Sequence, residues 1–214
     1  MERVLAEVRG AAEGDALFVT GAGDCFCAGL NLKEVAAHDV PAMTKYLGTL
    51  EDLVSALYHH PGPVVAWLNG HAIAGGCVMA LCCDLRIVTA REGVRIGLNE
   101  VALGLKFPPV TLAMCRRRVS GPALQRAILE SALYDAKTAQ RLGLVDEIGE
   151  EADARAMLEK LAAYPRAVYA ETKRALAGTL DVHADDLRRF REETIPYWCS
   201  AEIKERARSA LTKR

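Results

Sequence analysis

What the chain lacks narrows its function first. Charge of one sign is not in excess: 27 Lys and Arg against 28 Asp and Glu give a formal net charge of −1. Apart from Arg116-Arg117-Arg118 there is no basic block, so nothing marks a DNA or RNA footprint. No apolar run is long enough to cross a bilayer, and the first residues, MERVLAEVRG, carry an amphipathic helix pattern where a signal peptide would need an apolar stretch. An intracellular protein with no membrane association is expected. Cys25-Phe26-Cys27 has the spacing of neither a redox pair nor a zinc knuckle, and no ligand spacing for a metal is found elsewhere. Cys77, Cys82 and Cys83 lie in an apolar helix-like run, as reduced structural thiols do. After Gly21-Ala22-Gly23, the third glycine of a dinucleotide fingerprint would fall at Phe26, which excludes that reading. There is no G-K-[ST] phosphate loop and no G-x-S-x-G serine nucleophile.

What is present is an ordinary globular composition, 51% hydrophobic and 26% charged in 214 residues, enough for one domain or one domain with a small appendage. The chain alternates helix and strand patterns. Val4, Leu5 and Val8 mark the inner face of a first helix, and Ala16 to Thr20 reads as a buried strand running into the turn Gly21-Ala22-Gly23-Asp24. From Pro41 to His60 the apolar positions follow the helical period until Pro61-Gly62-Pro63 stops them. Val64 to Leu68, Leu85 to Thr89 and Leu144 to Ile148 read as strands. Helices are expected from about Val110 to Val119, after Gly121-Pro122, and after the capping residue Asp135. Beyond residue 150 the pattern is helical. Phe190, Ile195, Trp198, Ile203 and Leu211 stand among many charges there, and so must cover the body of the protein or a neighbouring subunit.

The organising stretch is Asn69 to Asp84, NGHAIAGGCVMALCCD. A strand ends at Asn-Gly, and Gly75-Gly76 then opens a helix whose first N–H groups can hold an anion or a developing negative charge. A tight packing turn is the competing explanation for the two glycines. A second glycine turn, at Ala28-Gly29, could aim another N–H at the same oxygen, the geometry that stabilises an oxyanion or enolate. Glu100, set between apolar segments, is a candidate base, against the alternative of a carboxylate at a helix N-terminus. His71 is a weaker candidate, read first as structural. Asp24, Glu34 and Asp84 read as turn, surface and helix-end residues.

The segments CFCAGLNLKE (Cys25 to Glu34), NGHAIAGGCVMALCCDLRI (Asn69 to Ile87) and IGLNEVALGL (Ile96 to Leu105), with Asp135 to Ile148, resemble the signature regions of the crotonase, or enoyl-CoA hydratase/isomerase, superfamily. The resemblance implies an α/β fold, a spiral of ββα units over residues 1–150, with a C-terminal helical region at 151–214 that contributes to a homotrimer or a dimer of trimers. It implies an acyl-CoA thioester substrate and no separate cofactor, coenzyme A being part of the substrate. By resemblance the oxyanion-hole N–H groups belong to Ala28 and Gly75, the catalytic carboxylate to Glu100, and the substrate-binding positions to Cys27, Leu30, Leu32, Gly76 and Val78. Hydratases of the superfamily carry two glutamates. Here the first position is Val78 and only the second, Glu100, is acidic, which is most similar to mitochondrial-type Δ3,Δ2-enoyl-CoA isomerases. The implied activity is a double-bond shift from 3-enoyl-CoA to 2-enoyl-CoA, in the cytoplasm or, in a eukaryote, the mitochondrial matrix. Enoyl-CoA hydration or another crotonase reaction is the alternative. A non-catalytic acyl-CoA-binding or assembly subunit is the reading from a different class, and an RNA-binding role ranks last for want of a lysine-rich helix. Two departures are noted: Asn31 stands where many members have Asp, and the family's first N-terminal strands are expected to be missing, leaving a strand edge to be covered.

Overall fold

The structure, a computed structural model, describes residues 1–12 and 14–212. Glu13 lies outside the described residues, as do Lys213 and Arg214 at the end of the expected helical tail. The alternation seen in the sequence is realised as ββα repeats. Helix α1 (Glu2–Gly10) leads to β1 (Leu17–Thr20) and β2 (Cys25–Cys27), which are followed by α2 (Leu32–Ala37) and α3 (Val40–Tyr58). Strands β3 (Val64–Leu68) and β4 (His71–Ile73) precede α4 (Gly75–Cys82). Strands β5 (Leu85–Thr89) and β6 (Ile96–Gly97) precede α5 (Pro109–Arg118), α6 (Gly121–Leu129) and α7 (Ala136–Arg141). After β7 (Glu147–Gly149) come α8 (Glu151–Ala162), α9 (Arg166–Ala177), α10 (Ala184–Arg189), a π-helical turn (Phe190–Thr194), α11 (Ile195–Trp198) and α12 (Ala201–Thr212).

In each repeat the first strand joins one sheet, of order β1-β3-β5-β7, and the second joins another, of order β2-β4-β6. Every ladder between these strands is parallel, with Phe18 opposite Val65, Trp67 opposite Ile87 and Val88 opposite Ile148 in the larger sheet, and Ala72 opposite Ile96 in the smaller. Parallel neighbours require crossovers, and the helices supply them, which makes the chain an ascending spiral. Strand β3 is buried along its whole length because β1 and β5 flank it, and its sequence VVAWL is correspondingly apolar throughout.

The helix over 40–58 forms as its period requires, with Met43, Leu47, Leu50, Leu53, Val54 and Leu57 buried. Asp39 caps it by accepting the Ala42 N–H at 2.9 Å. Two expectations are corrected. Strand β1 is half-buried rather than buried, since it is the edge of its sheet and has β3 as its one strand neighbour. The strand expected from Leu144 pairs only from Glu147. Leu144 and Val145 are buried instead by the turn after α7, where Gly143 takes φ +73° and the Leu144 N–H donates to the Ala139 carbonyl at 2.9 Å. The apolar residues of the tail cover the body: Phe190, Ile195, Trp198 and Ile203 form one cluster with Val35, Met43, Leu47 and Leu105, and Leu211 is half-buried.

Asp84 has a larger role than a helix-end residue. Its Oδ2 accepts the Val64 N–H at 2.9 Å, the Tyr169 hydroxyl at 3.1 Å and the Lys173 ammonium at 2.8 Å, while Arg118 lies 3.6 Å from Oδ1. Lys173 also donates to the Gly62 carbonyl at 2.8 Å, and its burial pulls the ammonium below its usual range despite the carboxylate beside it. One carboxylate therefore joins the start of β3, the end of α5 and the face of α9. Asp84→Ala leaves Lys173 buried without its counter-charge, and urea unfolding is expected to show a loss of about 3–5 kcal/mol. A change within about 0.5 kcal/mol would show that the network contributes no stability.

Candidate active site

The C-terminal ends of three parallel strands position the site. Because β2, β4 and β6 lie side by side and run the same way, the segments leaving them emerge along one edge of their sheet. Ala28 comes directly after β2, Gly75 begins the helix after β4, and Glu100 lies in the turn beyond β6. All three line one cavity of about 210 Å³.

Close contact between the first two turns explains their glycines. Gly29 takes φ +90°, and a Cβ there would lie 3.1 Å from the Ile73 carbonyl oxygen and 3.3 Å from the Gly75 nitrogen. A Cβ on Gly76 would overlap the Cys27 carbonyl oxygen. Between them Ala74 is held at φ +51°, a costly conformation for a residue with a side chain. It is pinned on both sides: its N–H donates to the Gly97 carbonyl at 2.8 Å and its carbonyl accepts the Val78 N–H at 3.0 Å. Gly75 is thus the first residue of α4, whose opening N–H groups have no intrahelical acceptor, and Ala74 has no side chain able to cap them.

Glu100 does not begin a helix. Residues 100–104 form turns in which the Leu105 N–H donates to the Glu100 carbonyl at 2.8 Å. Glu100 is only 7% exposed, and its Oε2 has no hydrogen-bond partner among the described residues. Burial without a counter-charge raises the carboxyl to about 7. The thiols nearest it electrostatically cannot compete as bases: burial pushes Cys77 up to about 12 and Cys115 well above its ordinary value. A carboxyl raised toward neutrality, in one cavity with the start of a helix, can take a proton from a carbon whose charge the helix-start amides stabilise.

Leu30, Leu32 and Val78 line the cavity. Cys27 and Gly76 do not: they pack against each other between the two turns, where a Cβ on Gly76 would meet the Cys27 carbonyl. His71 is structural, its Nδ1 accepting the Arg95 N–H at 3.0 Å. Asp24 pairs with Arg91 at 3.0 Å on the surface. Asn31 caps α2 through the Lys33 N–H at 3.0 Å and donates to Glu34 at 2.9 Å. Sequence reasoning missed Asn99 and Thr111, the other polar residues of the lining. Asn99 Oδ1 is buried without a partner among the described residues. The Thr111 hydroxyl donates to Glu51 at 2.7 Å, so it can only accept from the cavity. Glu51 also accepts the N–H groups of Val110 and Thr111, capping α5 from α3. The missing cap of a helix led by Pro108-Pro109 was the one signal that could have pointed to it.

Comparison with known proteins shows the family and the fold. The enoyl-CoA hydratase/isomerase family matches residues 1–209. The mitochondrial enoyl-CoA delta isomerase 1 of Mus musculus is 30% identical over 190 residues, 87% of this chain and 65% of that protein. The 2,3-dehydroadipyl-CoA hydratase of Escherichia coli strain K12 is 32% identical over 130 residues, 61% of this chain and 49% of that one. The chain thus spans less than two thirds of the length of either relative. The crystal structure of human mitochondrial Δ3-Δ2-enoyl-CoA isomerase superposes with a TM-score of 0.84 at 22% identity, over 99% of this chain and 86% of that one, which shows the fold.

The raised carboxyl has a consequence for stability. The folded state favours the protonated form of Glu100, so the stabilising effect is full below the ordinary value of 4.5 and is lost as pH rises through about 7. Glu100→Gln removes that loss. Its melting temperature should exceed the parent's above neutrality, by an amount corresponding to roughly 3 kcal/mol. A difference between the two that does not vary with pH would contradict the assignment.

Proposed function

The chain belongs to the enoyl-CoA hydratase/isomerase family, and from that premise we propose that it is a Δ3,Δ2-enoyl-CoA isomerase. The observation that carries this reading is the cavity lining, in which Glu100 is the single carboxylate and Val78 is apolar, among the described residues. Hydration needs a water activated on one side and a proton delivered on the other, for which hydratases of the family carry two glutamates. One carboxylate in an apolar cavity suits a reaction that returns the proton it takes.

In this reading the thioester oxygen of a 3-enoyl-CoA accepts the N–H groups of Ala28 and Gly75. Glu100 removes a proton from C2, and the C–H electron pair becomes an enolate conjugated with the C3–C4 double bond, its charge resting on the held oxygen. Glu100 then delivers the proton to C4. The carbonyl reforms and the double bond lies between C2 and C3, with no water consumed. The coenzyme A of the substrate is the only cofactor proposed. A hydratase is the second reading, favoured by hydratase relatives at comparable identity, and an acyl-CoA-binding subunit without activity is the reading from another class. A homotrimer is also proposed, supported by apolar side chains left exposed at Val101, Leu129 and Leu133, where the Ala102 N–H donates to Ser131 at 2.9 Å and brings the two loops together. Light scattering should give three times the chain mass, and a monomer would exclude it.

Purified protein is expected to convert 3-hexenoyl-CoA to 2-hexenoyl-CoA with kcat/KM falling below pH 7 as Glu100 takes up its proton. Glu100→Gln should lower kcat at least about a hundredfold while acyl-CoA binding persists. Hydration of 2-hexenoyl-CoA without isomerisation of the 3-enoyl substrate would establish the hydratase instead. Binding with neither reaction would favour the non-catalytic subunit.

A further inference from the structure

From Ala184 to Trp198 three helical pieces succeed one another without a break: α10, the π-helical turn Phe190–Thr194 and α11. On a regular α-helix Thr194 and Tyr197, four and seven positions on, lie nearest the direction of Phe190, Trp198 falls at the edge of that stripe and Ile195 outside it. Here the residues that are buried with Phe190 are Ile195 and Trp198, while Thr194 and Tyr197 are half-buried. The wider turn inserts one residue into the helical register and so rotates Trp198 inward. A π turn within a helix is an uncommon distortion, and its product here is the largest side chain of the C-terminal region brought to the wall of the cavity that holds Glu100.

The indole is fixed once there. Its Nε1–H donates to the Lys106 carbonyl at 3.1 Å, and the ring packs in the cluster that includes Val35, Leu47 and Leu105. The other C-terminal residue of the lining is Ala210, on α12, which adds little bulk. A thioester would be fixed at one end by the residues that react with it, so what its acyl chain can extend into depends on rigid side chains of the same lining. We propose that Trp198, aimed by the π turn, is the residue that limits the length of acyl chain this cavity accepts, making the protein specific for short-chain acyl-CoA thioesters. The proposal rests on the acyl-CoA reading of the cavity.

Its test is binding, which does not depend on the reaction. Calorimetric Kd values for saturated hexanoyl-CoA and dodecanoyl-CoA are compared in the parent protein, Trp198→Ala and Trp198→Phe. The parent should bind hexanoyl-CoA more tightly, and Trp198→Ala should shift the ratio toward dodecanoyl-CoA by about tenfold or more. Trp198→Phe, which keeps the cluster filled with a smaller ring, should shift it in the same direction by less. A residue that merely supports the fold would weaken both ligands together and leave the ratio unmoved. An unchanged ratio in Trp198→Phe, or in a folded Trp198→Ala, overturns this inference alone. Failure of the parent to bind either thioester overturns it together with the acyl-CoA reading.

Discussion

The parallel pairing of β2, β4 and β6 is the constraint on which the rest depends. These strands are two or three residues long, too short to contribute much stability themselves, yet their common direction brings three chain segments, distant in sequence, to one edge. The glycines at 29 and 76 allow the first two of those segments to touch, and the Ala74 N–H, donating to the Gly97 carbonyl, holds the second against the third strand. The unfavourable backbone of Ala74 is sustained because the surrounding contacts over-determine it. The larger sheet and the helices, with anchors such as Asp84, keep this edge rigid.

Rigidity matters because the edge holds a group that opposes folding. Glu100 is buried with no counter-charge and one oxygen without a partner among the described residues. A protein selected for stability alone would pair such a carboxylate or expose it. Its isolation is what raises it toward neutrality and makes it able both to accept and to release a proton. That the described lining holds no second carboxylate obeys the same logic: Val78 keeps the surroundings apolar, and another acid there would couple to Glu100 and separate the two titrations.

Much of this was legible in the sequence. The period of α3, the continuous apolar run of β3 and the cap at Asp135 are local signals, and the structure realises them. The two glycine turns and Glu100 were identifiable as candidates, and the resemblance of three separated segments to one family related them to each other. What could not be read are the consequences of packing. Nothing local distinguishes Gly75, the start of a helix at the cavity, from Gly76, which packs on the Cys27 carbonyl outside the lining. Asp84 reads as a helix-end residue until Lys173, 89 positions later, is seen beside it. Trp198 was recognisable as a residue needing cover, but its direction depends on a π turn that no periodic pattern announces.

In the proposed isomerisation one buried carboxylate carries a single proton from C2 to C4 of the substrate. Following deuterium placed at C2 of a 3-enoyl-CoA through turnover in ordinary water tests it most directly. Product bearing deuterium at C4 and no solvent oxygen is expected. Deuterium found only in the solvent, together with a hydroxyl oxygen from water in the product, would contradict it.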